Sequence, residues 1–241
     1  HLQLEAGIDA APFARLADTG QLTGVPFVSD VLYVREGDST SALHFRHDAR
    51  AFFQGNRFLL EPLVRYVVGL VPPGPVVDLY AGVGLFGLSL AATGSKDVTL
   101  VEGGLSSGAD LKANAEPFGP QVMVDRRSVE TFLRTADLKG LPRHIRSTSR
   151  SDINSVADDA TFIVDPPRTG MSKEALAGIV ERQPAQIIYV SCDIATLARD
   201  TRMLLDACYK IDSMIGIDLF PNTAHIETVA AFSRVSVSPF K

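Results

Sequence analysis

The sequence of 241 residues has no tryptophan and only two cysteines, Cys192 and Cys208. Two cysteines sixteen positions apart, without a paired histidine, provide neither a disulfide framework nor metal-ligand spacing, so we expect no metal site. No apolar run approaches the roughly 18 to 20 residues that cross a bilayer. The first residues, HLQLEAGIDA, lack the basic and apolar regions of a signal peptide. Together these absences predict a soluble, cytoplasmic protein without a membrane-spanning segment.

Methionine is absent from the first position, so we expect the chain to be part of a longer protein with further domains upstream. Its length and a hydrophobic content of 46% suffice for a substantial core in one or two domains.

The charge is unevenly distributed along the chain. A formal net charge of −5 argues against nucleic-acid binding by the whole surface, because phosphate binding requires a basic excess. Between residues 126 and 150, however, only Glu130 and Asp137 oppose a basic set formed by Arg126, Arg127, Arg134, Lys139, Arg143, Arg146 and Arg150. This segment is either a local basic surface or a solvated loop.

The pattern of apolar residues changes near residue 50. Before it, VPFVSDVLYV and SALHFRH flank a turn at Glu36–Asp38 and predict a small β-rich segment within residues 1–50. Over residues 51–241, short apolar strands alternate with helical patterns, which predicts an α/β domain with a mostly parallel sheet and helices on both faces. A short gap separates the last two strands, so we expect the last strand to be antiparallel.

A glycine-rich loop follows the first strand of the larger domain. In VVDLYAGVGLFG, Gly82, Gly84 and Gly87 close a strand and open a helix, where backbone can approach a ligand closely. Glu102 ends the next strand, 18 residues after Gly84, where a carboxylate suits a ribose diol. This spacing permits NAD or S-adenosylmethionine; alternatively, the glycines serve only helix packing.

Two further strands end in reactive side chains. Asp165 closes TFIV and precedes Pro-Pro-Arg, a rigid turn that either holds a carboxylate beside a flat substrate or is purely structural. Cys192 ends the following strand, so we expect it at the same sheet edge, as a nucleophile or a structural thiol. A helix N-terminus after Cys192 favours the thiolate, and Asp193, which can cap that helix, opposes it.

Cys208 is expected in the core instead, because it shares a helical face with Leu197, Thr201, Leu204 and Leu205. Near the C-terminus, His225 and Glu227 are two residues apart and should project from one face of an extended strand. A glutamate before the apolar TVAAF is a general base, a substrate contact or a solvated edge residue.

Six segments in this order, AFFQGN, DLYAGVG, LVEG, DPPRTG, YVSCDIATLARD and LFPNTAHIETV, resemble the motifs of the S-adenosylmethionine-dependent RNA uracil-C5 methyltransferases, which make 5-methyluridine in tRNA and rRNA. The resemblance runs from Phe45 to Val235. It implies a Rossmann-like methyltransferase fold, S-adenosylmethionine as cofactor, RNA as partner and methyl transfer to uracil C5 through a covalent adduct between cysteine and C6.

The same resemblance implies roles for single residues. Cys192 matches the nucleophile, and Glu227 matches the base that removes the C5 proton. The positions that match contacts to S-adenosylmethionine are Gln54, Tyr80, Glu102 and Asp165, with Gly82 and Gly84 shaping the cofactor pocket. Apart from the resemblance, Arg143, Arg146 and Arg150 of the basic segment are candidate phosphate contacts, and Arg168 and His225 are further candidate substrate contacts.

The sequence departs from the family at two positions. Asp193 and Leu85 stand where the family commonly has asparagine, and we expect a raised thiol pKa from Asp193 and weaker cofactor binding from Leu85. The N-terminal RNA-binding barrel and iron–sulfur cluster of many members have no counterpart in this sequence. Two alternatives therefore stay open: a catalytically inactive RNA-binding relative, and an NAD-dependent oxidoreductase, which leaves Cys192 and Glu227 without a role.

Overall fold

The computed structural model describes residues 14–16, 22–24, 27–36, 39–49, 51–95, 97–135 and 160–235. The strands are β1 Ala14–Leu16, β2 Leu22–Gly24, β3 Phe27–Glu36, β4 Ser39–Asp48, β5 Val76–Leu79, β6 Val98–Val101, β7 Val122–Asp125, β8 Thr161–Val164, β9 Gln186–Ser191, β10 Tyr209–Ile217 and β11 Glu227–Arg234. The helices are α1 Arg57–Leu70, α2 Leu85–Ala92, α3 Leu105–Ala115, α4 Val129–Arg134, α5 Lys173–Arg182 and α6 Ile194–Asp206, with a 3₁₀ segment at Glu116–Gln121. No helix within these ranges is long and apolar enough to cross a membrane.

A seven-stranded sheet forms the centre, in the order β10-β11-β9-β8-β5-β6-β7. Its central strands read VVDL, VTLV and TFIV and are buried along their whole length, as is typical of parallel strands covered on both faces. Leu79 of β5 is in register with Val101 of β6 and with Val164 of β8. The residues that follow these three positions therefore lie side by side at the carboxyl edge of the sheet.

One strand runs against the other six. β11 pairs antiparallel with both β9 and β10, so the predicted mostly parallel sheet with an antiparallel last strand is confirmed. Thr228 is opposite Ser191 at the end of this pairing, and Glu227 and Cys192 are the next residues beyond that pair. Because β11 is reversed, its first residue lies at the edge where the parallel strands end.

Helices cover both faces of the sheet, as the alternating pattern predicts. On one face, α1, α2 and α3 contribute Leu63, Leu88 and Leu111 to an apolar cluster. On the other, the cluster includes Leu176 from α5 and Leu204 from α6. Alternate residues of the buried strands join opposite clusters, so the sheet is the shared wall of two cores.

The β3–β4 hairpin packs on the first of these cores. Its strands of ten residues each are longer than the short strands that the sequence predicts. Buried Asn114 of α3 accepts from the backbone N of Arg46 at 3.0 Å and donates to the carbonyl oxygens of Arg46 and Val83, at 2.8 and 3.0 Å. One amide thus joins the hairpin to the glycine loop. The division of the chain at residue 50 stays a prediction.

The expected burial of Cys208 is wrong. Helix α6 ends at Asp206, and Cys208 is exposed in a left-handed turn with φ +65°. The chain leaves the helical path there to enter β10, and the next residue, Tyr209, is buried instead. The β1–β2 pair is a further element that the sequence analysis does not predict.

Replacing Asn114 with alanine should destabilise the fold by about 2 to 4 kcal/mol, because buried backbone groups of the hairpin and the glycine loop lose their partners. Lys112→Ala, an exposed change on the same helix, should cost less than about 0.5 kcal/mol. Urea unfolding of both variants measures the difference. Equal midpoints would refute the joining role of Asn114.

Candidate active site

A cavity of about 540 Å³ opens at the carboxyl edge of the sheet. Its walls come from six places in the chain: the loop before α1, the glycine loop, the end of β6, the end of β8, the residue after β9 and the segment around the start of β11. Of the residues proposed from the sequence, those that line it are Gln54, Tyr80, Gly82, Glu102, Asp165, Arg168, Cys192 and Glu227. Among these proposed residues, Gln54 and Glu227 are 173 positions apart in the chain and line the same cavity.

The remaining predicted site residues lie elsewhere. Gly84 belongs to the glycine loop and forms the N-terminal cap position of α2. His225 precedes β11, so the expectation that it projects from the same strand as Glu227 is wrong. Its ring is edge-on to the ring of Phe220, with 6.3 Å between the two ring centroids. Arg143 and Arg146, like the neighbouring Arg150, lie outside the described residues.

Backbone conformation explains the glycines at two positions. Gly82 and Gly84 have φ values of +58° and +98°, in the left-handed region that side chains disfavour. A Cβ on Gly84 would lie 2.6 Å from Cδ1 of Leu88, which is closer than carbon atoms approach. Tyr80 adopts φ +59° without being glycine, a conformation that costs about 1 kcal/mol. Of these three residues, Tyr80 and Gly82 line the cavity.

Glu102 joins the glycine loop to the loop after β6. Its Oε2 accepts from the backbone N of Gly82 at 2.9 Å. Its Oε1 accepts from the backbone N of Gly104 at 2.6 Å and from Oγ of Ser107 at 3.0 Å. The carboxylate can accept further bonds from a ligand, because two oxygens offer about four acceptor positions. Glu102 therefore shapes the loop in addition to facing the cavity.

Three carboxyl groups, those of Asp78, Asp165 and Glu227, lie at or near the cavity. Burial raises the pKa of Glu227 to about 7. Burial also raises the pKa of Asp78 to about 7, assisted by the charge of Glu102, although a 2.9 Å hydrogen bond from the backbone N of Gly87 lowers it. The pKa of Asp165 is raised well above its usual range by burial, then by Glu227 and Asp78. The charges of Glu227 and Asp78 thus disfavour the ionisation of Asp165.

Several oxygens of this region have no hydrogen-bond partner: Oε1 of Gln54, Oδ1 of Asp78 and Oε2 of Glu227. Arg168 is the one basic residue among the described residues that line the cavity. Buried acceptors without donors are costly, and a ligand that brings positive charge or donors would satisfy them. Among the described residues, no group of three His, Cys, Asp or Glu side chains is arranged to hold a metal ion.

Cys192 is half-buried at the cavity wall. Burial raises the pKa of its thiol, and the charges of Glu227 and Asp165 raise it further, whereas Arg168 lowers it through its charge and a hydrogen bond. Asp193 caps α6 as predicted, because its Oδ1 accepts from the backbone N of Ala195 and of Thr196 at 3.0 and 2.9 Å. The raised pKa of the thiol is caused by burial, Glu227 and Asp165, so the expectation that Asp193 raises it is wrong.

Sequence reasoning missed Asp78, Phe52 and Phe220. Asp78 was visible as a lone acid within the apolar run PVVDLY, a signal that a buried carboxylate has a purpose or a partner. Phe52 and Phe220 line the cavity but give no signal in the sequence, since an aromatic residue in a loop is equally compatible with the core. The structure places both beside the cavity that holds Cys192.

The sheet with one reversed strand, the glycine loop after its first parallel strand and the cavity at its carboxyl edge define a Rossmann-like methyltransferase fold. A solved structure of M. jannaschii TYW2 in complex with AdoMet has a similar fold, with a TM-score of 0.52 at 14% identity over 89% of this chain and 91% of that one. The family model described as tRNA (Uracil-5-)-methyltransferase matches residues 15–235. The chain belongs to this family, which confirms the resemblance found in the sequence.

Individual relatives agree with this assignment. An uncharacterized RNA methyltransferase of Chlorobaculum tepidum is 34% identical over 210 residues, which cover 84% of this chain and 41% of the relative. The tRNA (uracil(54)-C(5))-methyltransferase of Pyrococcus abyssi is 32% identical over 75% of this chain and 38% of its own length. A crystal structure of the Pyrococcus abyssi enzyme in complex with S-adenosyl-L-homocysteine has a TM-score of 0.65 at 28% identity, over 88% of this chain and 45% of that one. The chain therefore spans about two fifths of the length of these curated relatives.

The raised carboxyl pKa values predict that stability falls as pH rises. A buried Glu227 with a pKa of about 7, against about 4.5 unfolded, contributes stability that is complete below pH 4.5 and is lost as pH rises through 7. The loss should approach about 3 kcal/mol, and Glu227→Gln should remove that part of the pH dependence. Urea unfolding at pH 5 and pH 8 measures it.

Glu181→Gln is the matched control, since Glu181 is exposed on α5, and it should leave the difference between pH 5 and pH 8 unchanged. A Glu227→Gln variant with the same pH dependence as the unaltered chain would contradict a neutral buried carboxyl group at this position.

Proposed function

We propose that this chain is the catalytic part of an enzyme that transfers a methyl group from S-adenosylmethionine to C5 of a uridine in RNA. The observation that carries the proposal is that a thiol, Cys192, and a buried carboxyl group, Glu227, whose Oε2 has no hydrogen-bond partner, line the same cavity beside the glycine loop. The 32% identity to the tRNA (uracil(54)-C(5))-methyltransferase of Pyrococcus abyssi supports uracil C5 as the target and tRNA as the first RNA to examine.

The residues of the cavity fit the proposed cofactor. Glu102 and the loop at Gly82 would hold the nucleoside part, while Gln54 and Asp165 lie in the same walls. S-adenosylmethionine, when bound, supplies an electrophilic methyl group on a cationic sulfur. A cation suits walls that contain three acids and a single basic side chain. The two phosphates of NAD would meet the same acids unfavourably, which disfavours the oxidoreductase alternative.

Uracil C5 is a weak nucleophile, and the protein's first task is to activate it. The thiolate of Cys192 adds to C6, so that an S–C6 bond forms and the ring electrons move toward C5 and the O4 carbonyl. Because burial and Glu227 raise the pKa of Cys192, the thiolate is a minor species at neutral pH. Arg168 acts in the opposite sense, and we assign it the role of stabilising this thiolate.

Glu227 is the base of the second half of the reaction. After C5 has gained the methyl group, its carboxylate removes the C5 proton, the C5–C6 double bond reforms and the S–C6 bond breaks. A pKa of about 7 places this carboxyl group near the pH at which a base takes and returns a proton most effectively. The proposed role is supported by the position of Glu227 in the same cavity wall as Cys192.

The departure at Asp193 does not favour an inactive relative. Aspartate and asparagine are equally good helix N-caps, and the two bonds to the backbone of α6 need only an acceptor oxygen. Leu85 is buried and opens α2 directly after Gly84. Neither residue disrupts the arrangement of the thiol, the base and the glycine loop.

RNA containing 5-fluorouridine should trap the reaction as a covalent adduct. Fluorine at C5 cannot leave as a proton, so the S–C6 bond persists after methylation. Incubating the protein with S-adenosylmethionine and this RNA, followed by denaturing mass spectrometry, should reveal a methylated RNA–protein adduct.

Cys192→Ala should abolish the adduct, whereas Cys208→Ala should leave it intact, because Cys208 is exposed at the far end of α6. An adduct that survives in Cys192→Ala, or its absence with tRNA and rRNA despite measurable cofactor binding, would count against the proposed reaction.

Glu102→Gln should weaken binding of S-adenosylmethionine at least about tenfold, because an amide group cannot accept the bonds from both Gly82 and Gly104. Ser107→Ala, which removes one of the bonds to Glu102, should have a smaller effect. Isothermal titration calorimetry measures both affinities. Wild-type affinity in Glu102→Gln would show that this carboxylate neither shapes the loop nor contacts the cofactor.

A further inference from the structure

The turn after the two prolines, residues Arg168–Met171, is held by side chains of α6. Nη2 of Arg199 donates to the carbonyl oxygens of Thr169 and Met171, at 3.2 and 3.0 Å. Oγ1 of Thr196 donates to the carbonyl oxygen of the first residue of the turn at 3.3 Å. Side chains of the helix therefore bind the backbone of this turn, which we call the Arg168 turn.

Asp200 is the buried centre of these contacts and is only 1% exposed. Its Oδ2 accepts from the hydroxyl of Tyr189 at 2.7 Å and from the backbone N of Met171 at 2.9 Å. Its Oδ1 accepts from Nε of Arg199 at 2.8 Å, which orients the guanidinium toward the turn. A Cβ on Gly170 would lie 2.9 Å from Oδ2 of Asp200, so the turn passes directly over the carboxylate.

The same helix begins two residues after Cys192 and is capped by Asp193. One rigid element thus holds both the segment that carries the thiol and the turn that carries Arg168. Arg168 is exposed, and Oγ1 of Thr196 on α6 donates to its carbonyl oxygen, so the helix contacts the backbone of Arg168 directly. Its distance from the sulfur consequently depends on the contacts of α6 with the Arg168 turn.

We propose that Asp200 is a positioning residue, which fixes the guanidinium of Arg168 beside the Cys192 sulfur by holding the Arg168 turn on α6. The inference rests on the function proposed above, because it concerns the nucleophile of that reaction. Asp200 itself lines no part of the cavity. Its action is indirect: the charge of Arg168 favours the thiolate of Cys192, and that effect requires the turn to stay in place.

Thiol alkylation tests this without RNA, cofactor or turnover. In a Cys208→Ser background, the rate of Cys192 alkylation by iodoacetamide against pH gives the midpoint of thiolate formation. Asp200→Asn keeps the shape of the side chain but turns an NH₂ group toward groups that donate hydrogen bonds to Asp200. We therefore expect the midpoint of thiolate formation to rise by about 0.5 to 1 pH unit and the alkylation rate at pH 7 to fall about three- to tenfold.

Three further variants make the result specific. Arg168→Met should raise the midpoint by a similar amount, and the double variant with Asp200→Asn should raise it no further, since both changes remove one effect. Asp206→Asn breaks the exposed ion pair with Arg202 on the same helix and should leave the midpoint unchanged. Arg199→Met, at a half-exposed position, gives the same test if Asp200→Asn fails to fold.

Two outcomes would overturn the proposal. A wild-type midpoint in Asp200→Asn, or in Arg199→Met where Asp200→Asn does not fold, would show that the turn holds its place without them. Additive shifts in the double variant would show that Asp200 and Arg168 act on the thiol separately. Because the assay measures only the thiol, either result is independent of whether the protein methylates RNA.

Discussion

The antiparallel pairing of β11 with β9 determines the arrangement of the site. Parallel strands alone would bring only their carboxyl ends to this edge, which supplies Asp165 and Cys192 but no residue from the start of a strand. Reversal of β11 places its first residue, Glu227, at the same edge, and the pairing of Thr228 with Ser191 aligns the start of β11 with the end of β9. The proposed base thus begins one paired strand and the proposed nucleophile directly follows the other, so both are anchored next to the sheet.

This arrangement has an electrostatic cost that fits its proposed use. Asp78, Asp165 and Glu227 all have a raised pKa because they are buried together, and Arg168 is the one basic side chain in the described cavity walls. Such a group of acids is unfavourable for the folded chain at neutral pH, whereas a cationic ligand would favour their ionised forms. Stability given up at a binding site in this way is common where function requires charge.

Much of the fold follows from local patterns in the sequence. The alternation of short apolar strands with helical patterns over residues 51–241 predicts a mostly parallel sheet with helices on both faces, and the structure has both. Cys208 shows the limit of this reasoning. Its helical spacing continues past Asp206, but the turn into β10 ends the helix and exposes the thiol.

The cavity residues were predictable to the extent that they follow strands. The ends of β6, β8 and β9 were identified from the sequence because polar residues there contrast with the apolar runs before them. The contacts around Asp200 were not, since Tyr189 and Met171 lie 11 and 29 positions away and only tertiary packing brings them together. The prediction for His225 is wrong for a similar reason, because the residue at which β11 begins depends on the pairing of β11 with β9.

The proposed reaction replaces the C5 hydrogen of a uracil by a methyl group. Release of tritium from RNA labelled at uridine C5, measured beside methyl incorporation from S-adenosylmethionine, follows this exchange. We expect tritium to enter water in equal amount to the methyl groups transferred, and both to cease in Cys192→Ala. Methyl incorporation without tritium release would place the reaction at another atom and rule out methylation at C5.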